Sequence, residues 1–240
     1  MKYLIMIFTL LSWLIGFSTY AKSINIVIID VVPAGFQHQG RTQGTTYELI
    51  NQIADRANFK YDTKLKPFAR VVQELANGDA DMSMLLPNSA LDGQVVLVAP
   101  VYELKSMIVS MPNEPIKELT ELSGKKVGML RNATFYRKIP NHEQLDLYEV
   151  KNYRQGIKML KHGRINALLA IDQSFYFLLK NEGLERSEFA PPLYFDTQHM
   201  YLQVSNKLSD ESTINQLKSI VNDLKSSGEA NAILKKYVGE

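Results

Sequence analysis

Pro67-Phe68-Ala69-Arg70 places a flat ring and a guanidinium two residues apart where a strand breaks and a helix begins. An arginine in the first turn of a helix can hold a carboxylate through two parallel hydrogen bonds, and an aromatic ring there can stack on a solute. Phe36, inside the glycine-spaced run from Gly35 to Gly44, and Tyr102, just after Pro100, put further rings on turning backbone, from which binding residues commonly reach out. The equipment for bond breaking is missing. His38, His142, His162 and His199 lack metal-ligand spacing, no serine sits in a nucleophile elbow, and there is no cysteine to supply a thiol, a disulfide or a metal ligand. These residues suit the holding of a small molecule, with no cofactor and no metal.

The elements that must carry them show an internal echo. Leu75-Ala76-Asn77-Gly78-Asp79-Ala80-Asp81 and Leu160-Lys161-His162-Gly163-Arg164-Ile165-Asn166 each read as the end of an apolar helix, a glycine stop and the start of a strand, with matched positions 85 residues apart. Glycine suits the left-handed helix terminus because it has no Cβ. Two similar α/β lobes with a small molecule held between them are the economical reading.

Residues 1–21 carry Lys2, an apolar run over 3–17 and the small-residue end Ser18-Thr19-Tyr20-Ala21, the pattern of an export signal cleaved after Ala21. Without them 219 of the 240 residues remain, and Lys2 is the only charge lost from 27 basic and 25 acidic side chains, leaving +1. That balance calls for neither nucleic acid nor an anionic membrane surface. Export without a cysteine fits the bacterial periplasm, and without an N-terminal cysteine there is no lipid anchor.

The mature chain opens on an apolar strand at 23–30, followed by an irregular connection through Pro33, Gly35, Gly40 and Gly44. Thr45 or Thr46 is positioned to cap a helix whose Leu49, Ile50, Ile53, Ala54 and Ala57 share a face. A strand at 60–66, a helix up to Gly78 and a strand at 82–86 follow. This alternation predicts a mostly parallel sheet covered by helices. Extended stretches at 95–99 and 104–111 lead to the linker Pro112-Asn113-Glu114-Pro115. Beyond it come strands at 125–130, 145–150 and 167–171 with helices at 153–162 and 172–181 between or after them. A strand at 200–204 then returns to the first lobe, and helices at 214–224 and 230–237 close it. The domain organisation expected is 1–21 signal peptide, 22–111 first part of lobe 1, 112–198 lobe 2 and 199–240 completing lobe 1.

Gly44-Thr45-Thr46-Tyr47-Glu48-Leu49 with Ile53-Ala54 resembles a signature of the bacterial family 3 extracellular solute-binding proteins. Pro67-Phe68-Ala69-Arg70, Ala99-Pro100-Val101-Tyr102, Leu122-Ser123-Gly124-Lys125-Lys126-Val127-Gly128 and the tail from Leu224 to Tyr237 are similar to further blocks of that family, in the same order and over nearly the whole mature chain. The resemblance implies a two-lobed periplasmic binding fold of class α/β. Each lobe is a mostly parallel sheet flanked by helices, two hinge crossings join them, and the cleft closes on a small polar solute, amino-acid-like or a related small molecule, for delivery to an ABC-type membrane permease. The chain acts as a monomer in that picture. Arg131, Asn132 and Thr134 take the place of the family's glycine-threonine-threonine turn, where Thr134 and nearby amides could hold an anionic group.

Departures accompany the matches. The arginine that clamps the α-carboxylate in amino-acid binders has no counterpart, because residues 87–96 hold no basic side chain; Asn88 and Ser89 offer neutral hydrogen bonds there instead. The acidic partner for the α-amino group is displaced by one position, with Ile171 in its slot and Asp172 next to it. The ligand-binding candidates are therefore Phe36, Phe68, Arg70, Asn88, Tyr102, Arg131, Thr134 and Asp172. Two other functions share the fold: a cyclohexadienyl (arogenate-type) dehydratase, for which Glu48, Glu103 or Asp172 would be the acid or base, and a sensor that reports its ligand to a membrane receptor.

Overall fold

Residues 23–131, 133 and 135–239 are described by the computed structural model; the export signal expected over 1–21 and Thr134 lie outside them. The first apolar run forms β1 (Ser23–Ile29), with Ile24, Ile26, Val27 and Ile28 buried. A hairpin of β2 (Phe36–His38) and β3 (Arg41–Gln43) occupies what the sequence presents as an irregular connection. It turns at Gln39 and Gly40, both with positive φ (49° and 74°). Then come α1 (Thr45–Arg56), β4 (Lys60–Lys66), α2 (Phe68–Asn77) and β5 (Met82–Leu85). Gly44, not a threonine, is the N-cap of α1, and both threonines turn inward: Thr45 Oγ1 donates to Pro33 O at 3.3 Å and Thr46 Oγ1 meets the Tyr102 hydroxyl at 2.9 Å.

The two extended stretches expected at 95–99 and 104–111 are one strand, β6 (Val95–Ser110). The second set of elements is β7 (Lys126–Leu130), β8 (Asp146–Val150), α3 (Tyr153–Lys161), β9 (Ala167–Ile171) and α4 (Asp172–Glu182). The return strand β10 (Leu193–Ser205) is much longer than the sequence suggests, and α5 (Glu211–Ser226) and α6 (Glu229–Val238) follow it.

All but the hairpin join one eight-stranded sheet in the order β4-β1-β5-β10-β6-β9-β7-β8. Within it β1 runs parallel to β4 and β5, and β7 runs parallel to β8 and β9. Each parallel trio is completed by one long antiparallel strand, β10 against β5 and β6 against β9, and these two pair with each other along their length. The cores divide accordingly. Ile24, Ile26, Leu49 and Ile53 pack with Leu217, Val221 and Leu224 of α5. Ile157, Leu160, Leu168, Phe175 and Leu179 form a separate cluster in the second half.

The internal echo has a physical basis. Gly78 and Gly163 both take left-handed backbone (φ 69° and 65°) at the matched stops. Three residues on, Asp81 Oδ2 accepts from Asn25 N at 2.8 Å and Asn166 Oδ1 accepts from Lys126 N at 3.0 Å, while the amides of Asp81 and Asn166 donate back to Asn25 O and Lys126 O. In each half the short polar side chain locks the entry of the third strand to that of the first.

Candidate functional site

A cleft of about 440 Å³ opens where the ends of β1, β5 and β9 meet the crossing strands. Ligands in open α/β sheets bind outside the carboxyl ends of strands, because loops and helix starts gather there. The first half contributes Val31 to Ala34 after β1, Phe68 at the start of α2, and Leu86 to Asn88 after β5. The second half contributes Phe135, Ile171, Gln173 and Ser174, and the crossing strands supply Tyr102, Leu104, Gln198 and Met200. A larger depression of about 790 Å³ lies among Lys126, Tyr148, Arg154, Lys158 and Arg164, all of the second half. Relative motion of the two halves cannot close it, so the smaller cleft is the better candidate for the site.

Of the residues the sequence singles out, the cleft gathers Phe68, Asn88 and Tyr102. Phe68 is half exposed at the lip (50%). Asn88 Oδ1 accepts from Ala90 N at 2.9 Å and so shapes the loop after β5. Tyr102 is buried in the floor, and burial raises the pKa of its hydroxyl, which stays a neutral partner for Thr46.

Arg70, Arg131, Asp172 and Phe36 stand elsewhere. A helix turns about 100° per residue, so two positions beyond Phe68 the side chain leaves on nearly the opposite side; Arg70 Nη1 donates to Gln73 Oε1 at 2.9 Å, with Glu74 3.8 Å from its Nε. Arg131 reaches back along the sheet to Glu149, 3.2 Å away. Asp172 is the first residue of α4; its Oδ1 accepts from Lys105 N at 3.1 Å and Gln173 N at 2.7 Å, which ties the helix to β6. Phe36 packs edge-on against Phe177 at 5.2 Å and Tyr237 at 6.1 Å. The carboxylates considered for a dehydratase do not line the cleft either: Glu48 is held by Lys236 and the Tyr237 hydroxyl, and Glu103 lies 3.6 Å from His199 Nδ1.

Sequence reasoning passed over Phe135, Gln173, Ser174, Gln198 and Met200. Gln173 and Ser174 follow directly on a strand end in an α/β pattern, a signal that could have marked them. Gln198 could not be found this way, because it lies on the part of β10 that the sequence does not present as strand. Beside the cleft the two halves touch: Ser174 Oγ donates to Val32 O at 3.0 Å, Lys180 Nζ donates to Lys236 O at 3.0 Å, and the Phe177 ring meets that of Tyr237 at 6.4 Å. Among the described residues no helix is long and apolar enough to cross a membrane.

The family model of the bacterial extracellular solute-binding proteins, family 3, matches residues 24–240. A probable histidine-binding protein of Neisseria gonorrhoeae is 23% identical over 205 residues, 83% of this chain and 76% of the relative. Among solved structures, the substrate binding protein of an amino acid ABC transporter superposes with a TM-score of 0.67 at 19% identity, covering 91% of this chain and 100% of that one. A histidine kinase sensor domain with similarity to periplasmic binding proteins gives 0.72 at 18% identity, covering 91% and 97%.

Proposed function

Because the chain belongs to the bacterial extracellular solute-binding proteins of family 3, we propose that it captures a small polar solute, amino-acid-like or a related small molecule, in the periplasm and hands it to an ABC-type permease. The observation that carries this is the cleft itself, lined from both halves of the sheet and bridged by the two long strands β6 and β10. The lobes are residues 22–111 with 199–240, and 112–198. They close by bending the middle of β6 and β10, where the pairing slips between Met200 and Tyr201. Phe68 and Asn88 touch the solute, and Tyr102 supports the floor. The protein is exported by its first 21 residues, is cleaved after Ala21 and works as an unlipidated monomer. Hinge closure takes the solute out of water and makes the closed pair of lobes the signal that a membrane partner reads.

Likeness to the sensor domain favours one second reading, in which that partner is a receptor instead of a permease. Thermal-shift screening against amino acids, polyamines, small carboxylates and sugars tests the binding reading. At a ligand concentration about 100 times Kd the native state gains about 2.7 kcal/mol, a rise in Tm of roughly 5–11 °C for a chain of this size. Solution scattering must show a smaller radius of gyration with the compound that shifts Tm. If no compound class shifts Tm, and if scattering is unchanged by a concentrated extract of the host's growth medium, the binding reading fails.

A further inference from the structure

Resting on the cleft as the binding site, we propose that its occupant is an uncharged, ring-bearing molecule with a few hydrogen-bonding groups, not a zwitterion. The wall is aliphatic and aromatic apart from Thr45, Asn88, Tyr102, Gln173, Ser174 and Gln198, and among the described residues none that lines it is charged. Asn132 and Thr134, the positions flanking Ala133, are neutral by identity.

Most of the polar groups are already committed to the protein. Thr45 donates to Pro33 O, Tyr102 pairs with Thr46, Gln173 Nε2 donates to Glu103 O at 3.0 Å, and Ser174 donates to Val32 O. The neighbouring charges point to other partners: Arg70 to Gln73 and Glu74, Arg131 to Glu149, and the Asp172 carboxylate to the amides of Lys105 and Gln173. A carboxylate or ammonium shut into this space would lose water and meet no charged side chain among the described residues of the wall, a costly way to bury an ion.

The apolar surface asks for cover. Phe68 is 50% exposed, Val31 51% and Val32 38%, all on the first-half lip, and Phe135 lies on the other wall. A neutral ring between Phe68 and Phe135 would bury surface on both lobes at once and so reward closure. Ile171, at the end of β9, gives such a molecule a further apolar wall.

Isothermal titration of the mature protein, stripped of bound solute by unfolding and refolding, tests this with one ring in four charge states. The probes are N-acetyl-L-phenylalaninamide (neutral), L-phenylalanine (zwitterion), N-acetyl-L-phenylalanine (anion) and L-phenylalaninamide (cation). The neutral probe is expected to bind at least tenfold more tightly than each of the others, about 1.4 kcal/mol. Phe68→Ala is expected to weaken it about tenfold while leaving Tm nearly unchanged, since the ring is half exposed. Ile171→Asp is expected to move the preference to L-phenylalaninamide. A charged form that binds as well as the neutral one, silence from all four, or an unmoved preference in Ile171→Asp overturns the inference. If L-histidine or L-arginine raises Tm in the same preparation, the charge inference falls and the binding reading stands; if nothing shifts Tm or the scattering profile, both fall.

Discussion

Phe177→Ala tests whether a ring cluster outside the cleft helps hold the lobes shut. The Phe177 ring, on α4 in the second half, lies 5.2 Å from Phe36 and 6.4 Å from Tyr237, both in the first half. Phe36 and Tyr237 meet each other at 6.1 Å and remain paired in the variant, so the loss falls on contacts across the halves alone. Each lost ring pair is worth about 0.5–1.5 kcal/mol beyond burial, so roughly 1–3 kcal/mol of cross-lobe attraction disappears. That multiplies the open-to-closed ratio about 5- to 150-fold, while Ser174 to Val32 and Lys180 to Lys236 still resist opening. Small-angle scattering of the unliganded variant should then give a larger radius of gyration than the parent. Because Phe177 does not line the cleft, apparent ligand affinity should fall only through the smaller closed population. The reasoning is refuted if urea melts show the stability loss while the scattering profiles superpose, since the cluster would then belong to one rigid body.

Gly44→Ala is expected to destabilise the fold by about 1–3 kcal/mol, because φ is 141° there and a Cβ would lie 2.7 Å from Pro33 O. Calorimetry should show Tm lower by roughly 2–12 °C, and an unchanged Tm would contradict that backbone geometry. Gln203 is fully buried; its Nε2 donates to Leu85 O at 3.1 Å and Leu86 O at 3.4 Å while its Oε1 meets no partner among the described residues, so Gln203→Leu loses two hydrogen bonds, sheds one unmet oxygen and should cost no more than about 0.5–1.5 kcal/mol. Hydrogen exchange should quicken in the cleft loop 86–91 and not in α3 of the far half. Glu229 has its pKa held below the usual 4.5, first by the hydrogen bond from Arg56 and then by those from Ser227 and Gln52. A lowered acid pKa means stability present above the usual value and lost as pH falls through the folded one. The urea midpoint should therefore fall as pH drops below 4.5, and Glu229→Gln should shrink that fall.

The parallel trios were legible because their signals are local. The apolar run of β1, the facial spacing of Leu49, Ile50, Ile53 and Ala54, and the glycine stops at 78 and 163 each declare an element without help from the rest of the chain. The crossing strands were not. Pro100 breaks the pattern of β6, since a proline cannot donate to a ladder. The structure absorbs it at a bulge: Met200 faces Tyr102 while Tyr201 faces Pro100, which leaves Val101 as the extra residue. Only the partner strand β10 makes that tolerable, and a partner almost 100 residues away leaves no mark on the local pattern. The hairpin at 36–43 escaped for another reason: its strands are three residues each, and Gln39 supplies positive φ where glycine or asparagine would have announced a turn.

For the site, residue type proved a weaker guide than helix and strand phase. Arginine is the side chain chemistry would choose as an anion clamp, but Val71 and Leu75 are the buried stripe of α2, and stepping back from them by three and seven positions reaches Phe68, not Arg70. Phase separates Ile171 from Asp172 in the same way. In β9 Ala167 and Leu169 pack on one face and Leu168 and Ala170 on the other, and alternation carries Ile171 to the side of Ala167 and Leu169. The helix starts at the next residue, where the carboxylate of Asp172 satisfies the amides of Lys105 and Gln173 before it can serve a guest. Each charged candidate near the cleft thus meets a local demand first: an intrahelical partner for Arg70, a sheet neighbour for Arg131, and a helix start for Asp172. What lines the cavity are uncharged neighbours one or two positions away: Phe68 before Arg70, Ile171 before Asp172, and Gln173 and Ser174 after it. The charge character of the cleft is therefore written in the phase of α2 and β9, and Ile171→Asp is expected to change the kind of guest while leaving Tm nearly unchanged.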